Sequence, residues 1–293
     1  MTDFEFLRPH AEKPASRLFL FFGLTFLITW GLAALLLIAP DFVDSVGGPD
    51  PQDPYASWLY YIAVYGPTLA ALILLLVFQG PRGILQLGRD ALAPGRPLSW
   101  VSWIALGYLI LPIGWILFDH VGKAIGQEAL FGTTSLRGLF WTAPVTLATT
   151  NYLLMDPGPV GEEPGWRGYA MPRLLLVMHP ILAGALLGAI WGVWHLPAFL
   201  AAGSSQSEDG LNFFWFCLSL TSQGVMMTWI YLRSRGNWFA AGLLPHAAVN
   251  VSSSIGAFAN TGLMYPLAPV LWAVLICGLD PVMRQRIRLT GVS

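Results

Sequence analysis

The sequence predicts an all-α fold, a polytopic membrane bundle of about eight transmembrane helices. Three observations predict it. Of 293 residues, 55% are hydrophobic and only 11% are charged, whereas a soluble domain usually carries about 25% charged residues. The apolar residues fall into blocks of about 20, the length needed to cross a hydrocarbon core. Lys and Arg crowd alternate connecting segments, the pattern that sets orientation in a bilayer. A β-barrel is excluded, because the long apolar runs lack the ~10-residue alternation of barrel strands.

The blocks read in order as follows. Leu18–Ala39 comes after Arg8, Lys13 and Arg17; it is longer than the apolar core of a signal peptide and reads as the first span. The next loop, Pro40–Ser57, holds four Asp and no Lys or Arg, as suits an outer loop. Trp58–Phe78 is the second span, and Arg82, Arg89 and Arg96 follow it on the inner side. Trp100–Phe118 and Leu139–Met155 are the third and fourth. Between them lie Lys123 and Arg137. The fourth is short and the most polar, with Thr142, Thr146, Thr149, Thr150 and Asn151. An inner segment with Arg167 and Arg173 leads to Ile181–Ala202, the fifth span, and Leu211–Leu232, the sixth. Arg233 and Arg235 precede the seventh, Trp238–Phe258; the eighth, Leu263–Leu279, ends before Arg284, Arg286 and Arg288.

With the N-terminus inside, thirteen of the fifteen basic residues fall on the inner side, and both termini are expected in the cytoplasm. These charges are spread over five segments, so no nucleic-acid patch is expected. Loops are short and broken by Gly, Pro and Asp. No repeat or separate soluble domain is visible, and residues 1–293 read as a single integral-membrane domain. Cys217 and Cys277 sit in predicted spans with no metal or disulfide spacing.

Against this background a few polar residues stand out. A charge near the bilayer centre costs roughly 2.5–3.5 kcal/mol on insertion scales, so such residues are functional candidates. Glu162, Glu163 and Arg167 lie in GEEPGWRG. Pro164 suits a helix's first turn, and Glu163 and Arg167 are four apart, on one helix face. Alone, this spacing is equally the mark of a membrane-edge salt bridge. His195 lies in WGVWHLP with Trp191 one turn earlier and Pro197 just after; alone, it could be a packed histidine bonded to a carbonyl. His246 and Asn250 share a helix face in PHAAVN, a pair that could equally be an interhelical hydrogen bond.

Together the residues make a different case. A carboxylate and two imidazoles are the usual parts for activating water. They could also ligate zinc, with water in the open position. No HExxH is present, so any metal would need ligands from three separate segments, with Glu162, His195 and His246 as the set to test.

The three segments resemble the three motifs of the CPBP family of intramembrane proteases. That family includes the CAAX prenyl endopeptidases of the Ras-converting type and the bacterial ABI proteins. Its pattern is EExxxR, FxxxH, then HxxxN or HxxxD. Here these read Glu162-Glu163-Pro-Gly-Trp-Arg167, Trp191-Gly-Val-Trp-His195 and His246-Ala-Ala-Val-Asn250, in the same order, within a motif-bearing core of about 139–258. Trp191 stands where the pattern has Phe and keeps a large aromatic side chain. The resemblance implies an intramembrane endopeptidase, labelled a metalloprotease, acting on a membrane-associated and in eukaryotic members prenylated peptide. It implies that Glu162 activates water with His195, and that His246 and Asn250 stabilise the oxyanion. Glu163 and Arg167 would support them.

One tension follows from the predicted topology. Glu162 falls at the inner membrane edge, while His195 lies roughly 21 Å and His246 roughly 12 Å along the following spans at 1.5 Å per residue. The three can meet only if a helix tilts or if the Glu162 segment enters the membrane beside a water-filled cavity open to the cytoplasm. Two other readings share the same residues. One is a non-catalytic membrane scaffold. The other is a proton-coupled carrier, although no pair of broken spans recurs in corresponding halves.

Overall fold

The computed structural model describes residues 4–46, 57–92, 157–201, 212–254 and 264–285, together with Gln206, Ile287 and Leu289. The predicted third and fourth spans lie outside these residues. What is described is all-helical, with no strand among the described residues.

A short 3₁₀ turn, Glu5–His10, leads into α1, Pro14–Ile38. Pro14 opens that helix, where its missing N–H leaves nothing unsatisfied. α2 is Pro40–Ser45. The second predicted span is two helices, α3, Trp58–Val64, and α4, Gly66–Gln79, bent by 66°. Pro67 causes the break. In an unbroken helix its N–H would meet the Ala63 carbonyl, and proline has none. The Ala63 oxygen accepts instead from Thr29 Oγ1 of α1 at 2.7 Å. α5, Pro81–Ala91, follows.

The motif segment is a near-continuous helical run: α6, Pro157–Glu163, a π-helical stretch, Pro164–Ala170, and α7, Met171–Val177. The chain turns at Met178 and His179, both extended, into α8, Pro180–Trp194. α9, Leu196–Leu200, is short, and α10, Phe213–Arg233, is long. A second π-helical stretch, Phe239–Leu243, precedes α11, Leu244–Ser254. α12 is Met264–Leu279, and a 3₁₀ turn, Pro281–Arg284, follows.

Among the described residues three helices are long and apolar enough to cross a membrane, or four if the bent pair is one span. They correspond to the predicted first, fifth, sixth and second spans, so the expected eight are not all present in the described part. The predicted seventh span is helical through its described residues, a π-helical stretch running on into α11. α1 exposes Phe19 and Leu27, and α8 exposes Leu182, Leu186 and Val193. Helices this apolar on their outer faces belong in lipid, and the chain is a membrane protein.

The tightest packing is between α8 and α10. Gly184, Gly188 and Gly192 recur every four residues along one face of α8. A methyl group on Gly188 would run into the backbone of Leu220 and Thr221, and one on Gly184 into that of Gly224 and Val225. Small residues at this spacing let two backbones approach closely in a membrane. The far end of α10 is tied to α12 through Asp280, which accepts from Trp229 Nε1 and Arg233 Nε, each at 2.7 Å. Partial burial pushes the Asp280 carboxyl up, but these bonds, with one from the Val282 N–H, leave it below its ordinary value.

A second polar cluster lies under the N-terminal turn. His10 Nε2 is 3.3 Å from Asp90 Oδ2, and both are near Arg173, which donates to the Tyr169 carbonyl at 2.7 Å and covers the Tyr169 ring. Burial pushes the His10 imidazole below its ordinary value, against the pull of Asp90. Arg167 and Arg173, counted from the sequence among the inner-side charges, are both buried among the packed helices.

Candidate active site

Glu162 and Glu163 end α6, and both are buried. Arg167 lies one turn on, in the π-helical stretch, and is fully buried. Its Nη1 donates to Glu163 Oε1 at 2.9 Å. The same oxygen meets His246 Nδ1, also at 2.9 Å. Glu163 thus joins the first motif to the third. Space for its carboxylate is made by Gly242, where a methyl group would collide with Glu163 Oε2. Sequence reasoning missed Gly242, although Gly242, His246 and Asn250 recur at four-residue spacing and so line one helix face. Asn250 is half-buried, one turn beyond His246.

The second motif meets the first through its tryptophan. Trp191 Nε1 donates to Glu162 Oε2 at 2.5 Å. The Arg167 guanidinium lies 4.4 Å from the centre of the Trp191 ring, a cation–π contact. The His246 and His195 rings approach that ring edge-on, with centroids 4.9 and 5.9 Å away. His195 caps the end of α8, and its Nδ1 lies 2.8 Å from the Trp191 carbonyl. A carbonyl only accepts, so Nδ1 carries the proton, and in neutral His195 the lone pair is on Nε2.

The break in the helix at His195 follows from Pro197, as the sequence suggests. The Trp194 carbonyl that the break releases accepts from Trp30 Nε1 at 3.1 Å. Trp194 Nε1 donates in turn to Thr29 Oγ1 at 3.0 Å, the hydroxyl that caps the bend between α3 and α4. Two proline breaks are therefore held by one small network around α1.

Glu162 belongs to a helical run that turns back at Met178–His179, and His195 lies about as far beyond that turn as Glu162 lies before it, so the two arms can bring the acid and the imidazole together. The Trp166 and Trp194 rings, 5.9 Å apart, mark the contact of the two arms. Pro157–Glu163 also touches α3, α4 and α11, so the first motif sits inside the bundle.

The fit to a metal is poor. Among the described residues no three of His, Cys, Asp or Glu are grouped so as to hold an ion. Glu163 Oε1 is already shared by Arg167 and His246, and Glu162 is bonded to Trp191. Glu163 Oε2, Arg167 Nε and Arg167 Nη2 are buried without a hydrogen-bond partner among the described residues.

Residues 144–252 match the family model described as type II CAAX prenyl endopeptidase Rce1-like. This segment is similar to that family over a little more than a third of the chain. All three motifs lie within it, as the resemblance to the CPBP family requires. The chain is 31% identical over 123 residues to CAAX prenyl protease 2 of Methanococcus maripaludis, covering 38% of this chain and 44% of that protein. It is 27% and 26% identical over 129 residues to two proteins of Pseudomonas putida strains named Na(+)/H(+) antiporter NhaA 2, covering 44% of this chain and 24% of each. The chain thus matches less than half the length of these relatives. The matched segment contains the whole described polar cluster, from Glu162 to Asn250.

Proposed function

We propose that the protein is an intramembrane endopeptidase that hydrolyses a peptide bond near the end of a membrane-associated, CaaX-like substrate. The observation that carries this reading is the convergence of three sequence-distant motifs on one buried cluster, through Trp191 on Glu162 and His246 on Glu163. A water between Glu162 and His195 would attack the scissile carbonyl, with the Glu162 carboxylate taking its proton. The resulting oxyanion would be met by His246 and Asn250, donors held in place before the reaction. His246 uses Nδ1 on Glu163, so it donates to an oxyanion from Nε2 as the imidazolium, and the Glu163 carboxylate at 2.9 Å offsets that charge. Glu162 then returns its proton to the leaving amine. No step passes through a metal.

The site would open to the cytoplasmic side of a multi-pass cell-membrane protein with both termini in the cytoplasm, so that tethered substrates enter from the bilayer surface. The supporting facts are the Rce1-like match of residues 144–252 and the CAAX protease name of the Methanococcus relative. The test is cleavage by purified protein in liposomes, wild type beside Glu162→Gln, on membrane-tethered peptides with and without a prenyl group. Zinc content is measured on each preparation. Loss of cleavage in the variant supports the reading. Equal cleavage by both overturns the role of Glu162, and failure to cleave any member moves the protein toward a scaffold. The antiporter name of the Pseudomonas relatives motivates a second reading, a carrier using the buried acids as a proton relay. Glu162-dependent proton flux in the same liposomes would favour it.

A further inference from the structure

The second motif departs from its family's pattern at one position, and the structure gives the departure a chemical content. Where the pattern has Phe, Trp191 adds an N–H to the same kind of apolar ring. That N–H donates to Glu162 Oε2 at 2.5 Å inside the bundle, where both side chains are buried. Indole nitrogen only donates, so the bond has one direction and one requirement, an acceptor oxygen on Glu162. The ring also makes the contacts a phenylalanine could make: it stacks under Arg167 and receives the edges of His195 and His246. Its backbone carbonyl holds His195 Nδ1. One residue therefore touches Glu162, Arg167, His195 and His246.

We infer that Trp191 is a positioning residue for the water-activating carboxylate, acting through its indole N–H rather than through its bulk. The inference rests on the proteolytic reading for its kinetic consequence but not for the bond itself. A charge-assisted bond is stronger than a neutral one and fixes direction as well as distance. A general base held in one orientation meets its water in the reactive geometry; a base free to rotate does not. Glu162→Gln keeps an acceptor but removes the charge, and Trp191→Phe keeps the ring but removes the donor. The first change weakens the bond by removing its charge, the second removes it outright, and each keeps a side chain of similar kind in place.

The experiment has two readouts. The first is the indole N–H resonance of Trp191 in ¹⁵N-tryptophan-labelled full chain in micelles, assigned by its absence from Trp191→Phe. A bond to a carboxylate places it downfield, and Glu162→Gln should move it upfield by several tenths of a ppm. An unchanged resonance would overturn the inference whether or not the protein is a protease. The second is kinetic. Trp191→Phe should lower kcat about tenfold or more, the effect of one bond to a charged group. KM should stay within about twofold, because the indole N–H is committed to Glu162 rather than to substrate. Wild-type kcat in Trp191→Phe would overturn the positioning role, and so would a loss expressed only in KM. If no substrate is cleaved by any form, the proteolytic reading fails and the resonance alone decides whether the bond exists.

Discussion

The Glu163–Arg167 pair is buried completely, and this decides how its removal should read out. Both side chains are fully inaccessible, 2.9 Å apart, and Glu163 also holds His246. An exposed pair would contribute roughly 0–1 kcal/mol. Removing one member of a buried pair strands a charge and costs about 3–5 kcal/mol. Arg167→Met leaves the Glu163 carboxylate with His246 alone. For a chain of this size about 2–4 °C accompanies each kcal/mol, so the apparent melting temperature should fall by about 10 °C. Arg167 itself keeps Nε and Nη2 without hydrogen-bond partners among the described residues, so its desolvation is only partly offset. Removing both charges together should therefore recover most of the loss, since neutral replacements of buried pairs are often tolerated. Glu163→Gln is the suitable second change, because its amide oxygen can still accept from His246. The assay is thermal unfolding in one detergent, at one scan rate, of wild type, both single variants and the double variant, read as a cycle. A fall of less than about 3 °C in Arg167→Met, or strictly additive losses in the double variant, would refute the reasoning.

Other outcomes follow from the same geometry. His195→Ala and His246→Ala should abolish cleavage and leave a folded protein, while Asn250→Ala should slow it about 10²–10³-fold, the usual effect of one lost oxyanion donor; wild-type rates in the liposome assay would remove that residue from the site. Gly242→Ala should lower activity sharply, because the new methyl meets the Glu163 carboxylate and must displace it; an active variant with an unshifted His246 ring resonance would show that the carboxylate has room to give. Acid should loosen the N-terminal turn. Burial holds His10 below its ordinary value of about 6.5, with Asp90 opposing and Arg173 assisting. The unfolded segment then takes up a proton first, so the docking free energy is fully present above pH ~6.5 and declines below it. Hydrogen exchange or limited proteolysis of residues 4–13 at pH 7.5 and 5.5 should show this, and His10→Gln should abolish the difference.

Much of the site was legible in the sequence because its chemistry is costly in lipid. Acids, imidazoles and an amide stand out against an apolar chain, and four-residue spacing assigns Glu163 with Arg167 and His246 with Asn250 to shared faces. Burial was not legible. Hydropathy treats GEEPGWRG as loop because it is polar, whereas its charged side chains lie buried and are bonded to one another, to Trp191 and to His246. The same reading counted Arg167 and Arg173 only as inner-side charges. The bend at Tyr65 was also hidden, since Pro67 in an apolar run signals a break but not the Thr29 hydroxyl that stabilises it. Trp191 could be recognised by position as an aromatic, yet its N–H acquires meaning only once Glu162 is known to lie against it.

The near-equal distance of Glu162 and His195 from the Met178–His179 turn carries a consequence for how such a chain can change over time. An added residue in either arm would rotate everything beyond it by about 100° and advance it by about 1.5 Å. The acid and the imidazole would then face different neighbours. The length of chain between Glu162 and His195 is in this sense a ruler, read from the turn outward, and only the turn itself can grow or shrink without resetting the scale. Variation in length should therefore collect at Met178–His179 and be absent from both arms, even where the side chains along them are freely exchanged.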